Sequence, residues 1–205
     1  MGLYSKYILP KLIDWACRQK PSAKQREKVI PLATGKVLEI GAGSGLNLPF
    51  YEKQNIRHLT VVEPALEVWQ RNKVDTSTLG FEFTFVQAFA EELPLESNAF
   101  DTVVITYSLC TIKNTDRALD EVKRVLKPGG KLLFNEHGKA PDASVFQWQN
   151  RLDPIWQQFS GGCSLHKNIP ELIKARGFII HTLESMYVPG WKPASYNYWG
   201  VATVQ

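Results

Sequence analysis

Three glycines, Gly41, Gly43 and Gly45, stand at alternate positions directly after the apolar run Val37-Leu38-Glu39-Ile40. Glycine there lets the backbone turn sharply and lets a ligand approach main-chain N–H groups. About twenty residues on, His58-Leu59-Thr60-Val61-Val62-Glu63-Pro64 is apolar and then acidic, a spacing that suits a carboxylate gripping both hydroxyls of a ribose. The dinucleotide pattern G-x-G-x-x-G is not met, because Leu46 occupies its last glycine position. Glu39, two residues before the first glycine, would repel a pyrophosphate and suits a ligand that carries an ammonium group. The chemistry these residues point to is binding of a nucleoside that bears a positive charge.

Groups able to move protons or attack carbon are fewer. His137 ends an apolar strand at the edge where open α/β sheets place ligands, and His166 lies in a glycine-rich loop soon after Cys163. Both are candidate pocket residues and candidate proton carriers. Cys110 follows another apolar strand; buried cysteines are commonly inert, so it reads first as a pocket-lining residue and second as a nucleophile. Cys17, Cys110 and Cys163 are odd in number and far apart in sequence, which argues against a disulfide framework or a zinc site; no metal is expected. Tyr107, Trp148, Trp156, Trp191, Tyr196 and Trp199 are ordinary core types, yet their crowding in the segments expected to roof the pocket predicts an aromatic chamber able to face a cation.

The elements that must position these groups alternate. Buried strands are expected at 37–40, 58–63, 81–87, 100–105 and 131–135, and helices at 65–72 and 116–126, the latter with Ala118, Leu119, Val122, Val125 and Leu126 on one side. Leu46-Asn47-Leu48 should open a helix after the glycines. Met1 to Ile30 reads as helix broken at Pro21-Ser22, with Leu9, Leu12, Ile13 and Ala16 on an apolar face and Tyr4 and Tyr7 adding aromatic weight. A Trp-rich helix follows at 144–159, breaking at Pro154, and Asn168-Ile169-Pro170-Glu171 resembles a capping box before a helix ending at Gly177. Strands at 178–183 and 196–204 close the chain. The pattern predicts an α/β fold of one domain: a Rossmann-like, seven-stranded, mostly parallel sheet with helices on both faces and an N-terminal helical cap or lid over 1–30. Residues 36–137 would form the cofactor core and 138–205 the substrate-side helices and last strands.

Glu39-x-Gly41-x-Gly43-x-Gly45, the acidic end of the second strand, Phe100-Asp101, and Arg124-Val125-Leu126-Lys127-Pro128-Gly129-Gly130 together resemble the class I methyltransferases that use S-adenosylmethionine (SAM). Gly45-Leu46-Asn47-Leu48-Pro49-Phe50-Tyr51, Ser108-Leu109-Cys110-Thr111-Ile112, Glu136-His137, Trp148-Gln149, Pro154-Ile155-Trp156 and Gly161-Gly162-Cys163-Ser164-Leu165 narrow this: they resemble the small-thiol S-methyltransferase group. The resemblance implies SAM as cofactor, held by Glu39, Gly41, Ala42, Gly43, Gly45, Asn47, Glu63, Pro64, Phe89, Ala90, Glu91, Thr106 and Tyr107, with Cys110 beside the transferable methyl. Many class I members place an Asp after the third strand to hold the adenine amino group; here the matching residue is Phe89, so stacking by Phe89 and a bond to Glu91 or a main-chain carbonyl are the expected substitutes.

The implied reaction is methyl transfer to a small thiol such as hydrogen sulfide or methanethiol. N-methylation of a lipid amine or C-methylation of a quinone would also use an apolar cleft, and a SAM-binding sensor or scaffold is the non-enzymatic alternative. At 205 residues and 44% hydrophobic, the chain has enough apolar mass for one core. The net charge of +4 is spread along the sequence, so no nucleic-acid partner is expected. No apolar run is long enough for a membrane span and no leader is visible at the N-terminus, which predicts a cytoplasmic protein acting on a small molecule and weighs against a lipid acceptor. The oligomeric state is left open.

Overall fold

In the computed structural model, which describes residues 9–204, seven strands form one sheet in the order β3-β2-β1-β4-β5-β7-β6. The strands are β1 (Gly35–Ile40), β2 (Ile56–Val62), β3 (Glu82–Val86), β4 (Phe100–Thr106), β5 (Leu126–His137), β6 (Phe178–Tyr187) and β7 (Tyr196–Val204). The first five run parallel; β7 inserts antiparallel between β5 and β6. The chain reverses its winding between β1 and β4, the topological switch point at whose carboxyl edge such sheets bind ligands.

Side chains of successive strand residues alternate between two cores. Leu38, Ile40, Val103, Ile105, Leu132 and Phe134 face a layer built by α4 (Thr115–Val125) and α6 (Ile169–Ala175), into which Ala118, Leu119, Val122, Ile169 and Ile173 are buried. Val37, Leu59, Val61, Val104 and Leu133 face the opposite layer, with Val29 of α2 (Lys20–Val29), Ile30, Leu48 and Tyr51. Glu39 shares a parity with Val37, so its carboxylate is driven into this second layer. The α4 helix is set by its sequence: Asn114 caps it by accepting from the Arg117 N–H at 3.0 Å, and its apolar stripe is the expected one.

Several local expectations are corrected. After the glycines the chain forms a turn and a single 3₁₀ turn over Leu48–Phe50, not a helix opening at Leu46, because Pro49 and the burial of Asn47 take the chain elsewhere. Pro21 does not break a helix; it lies in the first turn of α2, where its missing N–H costs nothing. Pro154 sits within α5 (Ala143–Phe159), which continues through it. The Asn168 side chain makes no cap bond, so the capping box is absent. The helix after β2, α3, is only Leu66–Trp69. Strand β5 begins earlier than expected, with Lys127-Pro128-Gly129-Gly130 bulging out between its pairings to Phe100 and Thr102.

The first helix, α1 (Leu9–Cys17), buries Leu9 as expected but turns other apolar side chains outward. Leu12 and Trp15 are 49% and 65% exposed, whereas Asp14 and Arg18, just after it, both bond Ser44 of the glycine loop. Tyr4 and Tyr7 lie outside the described residues. No described helix is long and apolar enough to cross a membrane.

Candidate active site

The glycine loop is a sequence of bonds that only glycines permit. Gly41, Gly43 and Gly45 have φ of +70°, +57° and +72°, the left-handed region closed to most residues. A methyl group added at Gly41 would lie 2.1 Å from Ser108 Oγ, so this glycine also lets the loop after β4 come close. At Gly43 the same methyl would meet nothing within 4 Å: the main chain there faces open space. Glu63 stands beside it. Its Oε2 accepts from the Gly43 N–H at 2.9 Å and its Oε1 from the Ala65 N–H at 3.1 Å. Each oxygen keeps a further lone pair, and burial holds the carboxyl above the usual range. An open backbone cradle flanked by a buried carboxylate fits a ribose and the chain attached to it.

Glu39 takes a different place from the expected one. It is 1% exposed and both oxygens are engaged, Oε1 by Asn47 Nδ2 at 3.0 Å and Oε2 by the Tyr51 hydroxyl at 2.7 Å. Burial pushes its pKa up to about 7, against the pull of these donors. Asn47 in turn bonds Thr106 Oγ1 at 3.0 Å and accepts from Arg26 Nε at 3.0 Å, while Arg26 also donates to the Cys17 carbonyl at 2.7 Å. Glu39 therefore fixes the loop from beneath and ties it to α2.

Other expected cofactor residues line the carboxyl edge. Ala42 and Ala90 are buried, and the Pro64 carbonyl accepts from Gln87 Nε2 at 3.0 Å. Phe89 is 68% exposed, an unstacked ring beside Glu91 in an open groove shared with Leu93, Asn114 and Arg117. Glu91 Oε1 accepts from the Asn114 N–H at 3.3 Å.

The loop after β4 is shaped by a residue whose role the sequence did not reveal. Glu136, fully buried, accepts three successive N–H groups, those of Ser108 and Leu109 at 2.7 and 2.9 Å and that of Cys110 at 3.4 Å. Burial raises its pKa while these donors oppose the rise. Tyr107, just before them, has a φ of +52° and hydrogen-bonds through its N–H to Asn135 O at 2.8 Å; the Arg26 guanidinium lies 5.2 Å over its ring. The Tyr107 hydroxyl, the Asn135 amide and His137 Nδ1 are buried without a well-formed hydrogen bond among the described residues.

Three reactive side chains converge at this edge. The sulfurs of Cys110 and Cys163 and a ring nitrogen of His137 all lie within 4.8 Å of one another, with Cys163 Sγ 2.9 Å from His137 Nε2. Spacing in sequence hid this cluster: one member follows β4, one ends β5 and one lies in the Gly161-Gly162 turn after α5. The Ser164 N–H bonds the Cys110 carbonyl at 2.9 Å and locks the two cysteine segments together. Lys167 Nζ sits against the Leu109 and Ile112 carbonyls at 2.8 and 2.7 Å. The contact between Cys110 and Cys163, together with burial, raises the Cys110 thiol well above its ordinary pKa; burial works to lower His137, and the charges of Cys110 and Glu136 carry it up to about 9. The two titrate as a pair.

His166 is not in this cluster. Its imidazole is 44% exposed and pairs through Nδ1 with Asp153 Oδ2 at 3.2 Å, so its placement in the pocket is corrected. The aromatic residues do not gather in one chamber: Trp148 and Trp191 are 55% and 52% exposed, Trp156 pairs with Trp191, Tyr196 is buried in a small cluster with Val145, and Trp199 packs on the layer of Val37 and Leu59.

Comparison with known proteins sets this geometry in a family. A methyltransferase-domain family profile matches residues 38–134. The human thiol S-methyltransferase TMT1B is 34% identical over 172 residues, covering 79% of this chain and 70% of that protein. The rat TMT1B is 32% identical over 167 residues, 79% of this chain and 65% of that protein, so the chain spans about two thirds of the length of these relatives. The UbiE ubiquinone/menaquinone biosynthesis C-methyltransferase of Idiomarina loihiensis is 35% identical over 117 residues, 55% of this chain and 46% of that protein. A SAM-dependent methyltransferase from Thermotoga maritima superposes with a TM-score of 0.67 at 18% identity over 98% of both chains, a likeness of fold. On these matches and the shared fold, the chain belongs to the class I SAM-dependent methyltransferases.

Proposed function

We propose that this methyltransferase acts on a small thiol, hydrogen sulfide or methanethiol in kind, within one domain whose residues 36–137 hold the cofactor and whose residues 1–30 and 138–205 shape the acceptor side. The observation that carries the reading is the reach of the similarity. Alignments to thiol S-methyltransferases run over 167 and 172 residues, far more than the 97-residue stretch 38–134 that the general family profile matches, so they extend into acceptor-side segments. The alignment to the quinone C-methyltransferase covers 55% of the chain, close to the core alone.

Bound SAM supplies a methyl group on a sulfonium, displaced in line by the acceptor's lone pair. Toward it, Glu63 would hold the ribose, the Gly41–Gly45 loop the chain beyond it, and Phe89 with Glu91 the adenine. Toward the acceptor, the buried Cys110 and Cys163, with the half-buried Tyr107 before them, would form an edge poor in water. Attack by an anion on a cation cancels charge, so a dry pocket favours the transition state over the separated ions. A thiol's pKa lies within about two units of neutrality, so a positive field can replace a strong base. Lys167, with its ammonium against the Leu109 and Ile112 carbonyls, provides that field.

The test is a panel of acceptors with methyl-labelled SAM: hydrogen sulfide and methanethiol against a quinone, an ethanolamine lipid and buffer alone. Label in the small thiols is expected, rising with pH as thiolate forms. Label in quinone or lipid with none in the thiols would overturn the reading, and no label anywhere would favour a SAM-binding sensor.

A further inference from the structure

Two thiols and an imidazole packed within 4.8 Å are more than a neutral pocket wall needs. We infer that Cys110, Cys163 and His137 form a three-ligand site for a zinc-class divalent cation whose fourth position is taken by the acceptor thiol. The inference rests on the thiol reading for its acceptor and on geometry for its metal.

The donor set comes first. Two soft sulfurs and one imidazole select zinc among the common divalent ions, and three protein ligands with one position open is the arrangement of catalytic rather than structural zinc. Tetrahedral bonds of about 2.3 Å to sulfur and about 2.0 Å to nitrogen put ligand atoms roughly 3.5–3.8 Å apart. The cluster's atoms lie within 4.8 Å and its closest pair at 2.9 Å, so small side-chain rotations on a fixed backbone suffice.

The backbone is indeed fixed. Cys110 is held by the three N–H bonds to Glu136 and by the Ser164 N–H on its carbonyl; Cys163 follows two glycines at φ +72° and +91°. His137 closes β5, paired across to Asn197. His137 turns Nε2 to Cys163 at 2.9 Å, so its ligating nitrogen already faces the sulfurs. Charge balances as well: two thiolates neutralise the dication, and Lys167, half-buried with its Nζ against the Leu109 and Ile112 carbonyls, offsets the added charge of a ligating thiolate. Ser108, two residues before Cys110, abuts Gly41, so the site adjoins the cofactor loop.

The step balances. Ligation releases the acceptor's S–H proton to solvent; a sulfur lone pair then forms the new S–CH₃ bond. The electron pair of the broken C–S⁺ bond stays on the departing thioether, and the methylated product, a neutral and poorer ligand, leaves the metal. No oxidant or reductant takes part.

The experiment is a Co²⁺ titration of the full chain after reduction and chelator treatment, read by visible absorption. One equivalent should bind with tetrahedral d–d bands and a thiolate-to-cobalt charge-transfer band, and methanethiol should intensify and shift both. Cys110→Ser and Cys163→Ser should each weaken binding at least a hundredfold and halve the charge-transfer intensity, while Cys17→Ser binds as the parent does. His137→Gln provides a third disruption that leaves both sulfurs. Retained SAM affinity, measured by calorimetry, certifies that each variant is folded. Absence of saturable binding, binding indifferent to both cysteine variants, a Cys110–Cys163 disulfide recovered in place of metal, or a cobalt spectrum blind to methanethiol would overturn the site. Methanethiol turnover that persists in metal-free protein would also overturn it while leaving the thiol reading intact. Cobalt and methanethiol bound together in a protein that methylates only quinone or lipid would uphold the site and end the thiol reading instead.

Discussion

The glycine loop and the cysteine–histidine cluster sit at the same sheet edge and are built in opposite ways. In the loop, a dozen consecutive residues carry the design, and the polar atoms close on one another: Glu39 is bonded twice, Glu63 twice, Asn47 three ways. In the cluster, the members come from three distant segments, and His137 Nδ1, the Tyr107 hydroxyl and the Asn135 amide are left without good partners. A common cofactor allows one preformed, self-satisfied cradle. The cluster carries polar capacity that the described residues do not use, which the proposed function assigns to the acceptor.

If that contrast is right, damage to the loop should be structural and large. Gly41→Ala forces a φ of +70° on a residue with a side chain and drives its methyl to 2.1 Å from Ser108 Oγ. The expected loss is about 2–4 kcal/mol of folding stability together with SAM binding. Denaturant unfolding and calorimetry would check it; a variant of unaltered stability breaks the picture of a closed loop.

Glu63→Ala should spare the fold and strike the ligand. Removing charge-assisted bonds to both ribose hydroxyls should cost about 3 kcal/mol of affinity, more than a hundredfold in Kd. Calorimetry finding an unchanged Kd in the folded variant would take the ribose away from Glu63.

Glu39 sharpens the comparison through pH. Its carboxyl is held at about 7 by burial, above the unfolded value near 4.5, so the native state binds the extra proton between those limits. Stability is therefore full below about pH 4.5 and falls as pH rises through about 7, by at most about 3 kcal/mol. Glu39→Gln, which keeps a neutral side chain at every pH, should flatten that part of the profile. Parallel unfolding curves at pH 5 and pH 8 for parent and variant decide it, and equal slopes would mean that Glu39 is ionised throughout.

The smallest effect is expected at Ser44, where α1 meets the loop through Asp14 and Arg18. Ser44→Ala should cost about 1 kcal/mol or less of stability and weaken SAM severalfold. A SAM affinity identical to the parent's would make α1 a bystander rather than a lid.

Legibility follows the same division. Gly41, Gly43, Gly45 and Glu63 were readable because turn chemistry and strand ends are local, and the strand alternation gave the sheet. The helix expected at Leu46 failed because a buried Asn47 and Pro49 outweigh an apolar start. Glu39 was recognised as important but assigned to the ligand, since only the parity it shares with Val37 turns it toward Tyr51. The odd count and wide spacing of the cysteines argue against a shared disulfide or zinc site, but sequence distance says nothing of two loops joined by Ser164. His166 looked equivalent to His137 until Asp153 of α5 drew it to the surface. Arg26 carries no local signal, and Glu136 enters only as part of the Glu136-His137 motif, which says nothing of its bonds to the loop after β4.

Tyr107 holds a last consequence. Its φ of +52° places a bulky residue where the backbone is disfavoured, at a cost on the order of 1–3 kcal/mol. That cost persists because the clamp of Glu136 on Ser108, Leu109 and Cys110 over-determines the next three residues. The loop after β4 is thus a compressed spring whose catch is one buried carboxylate.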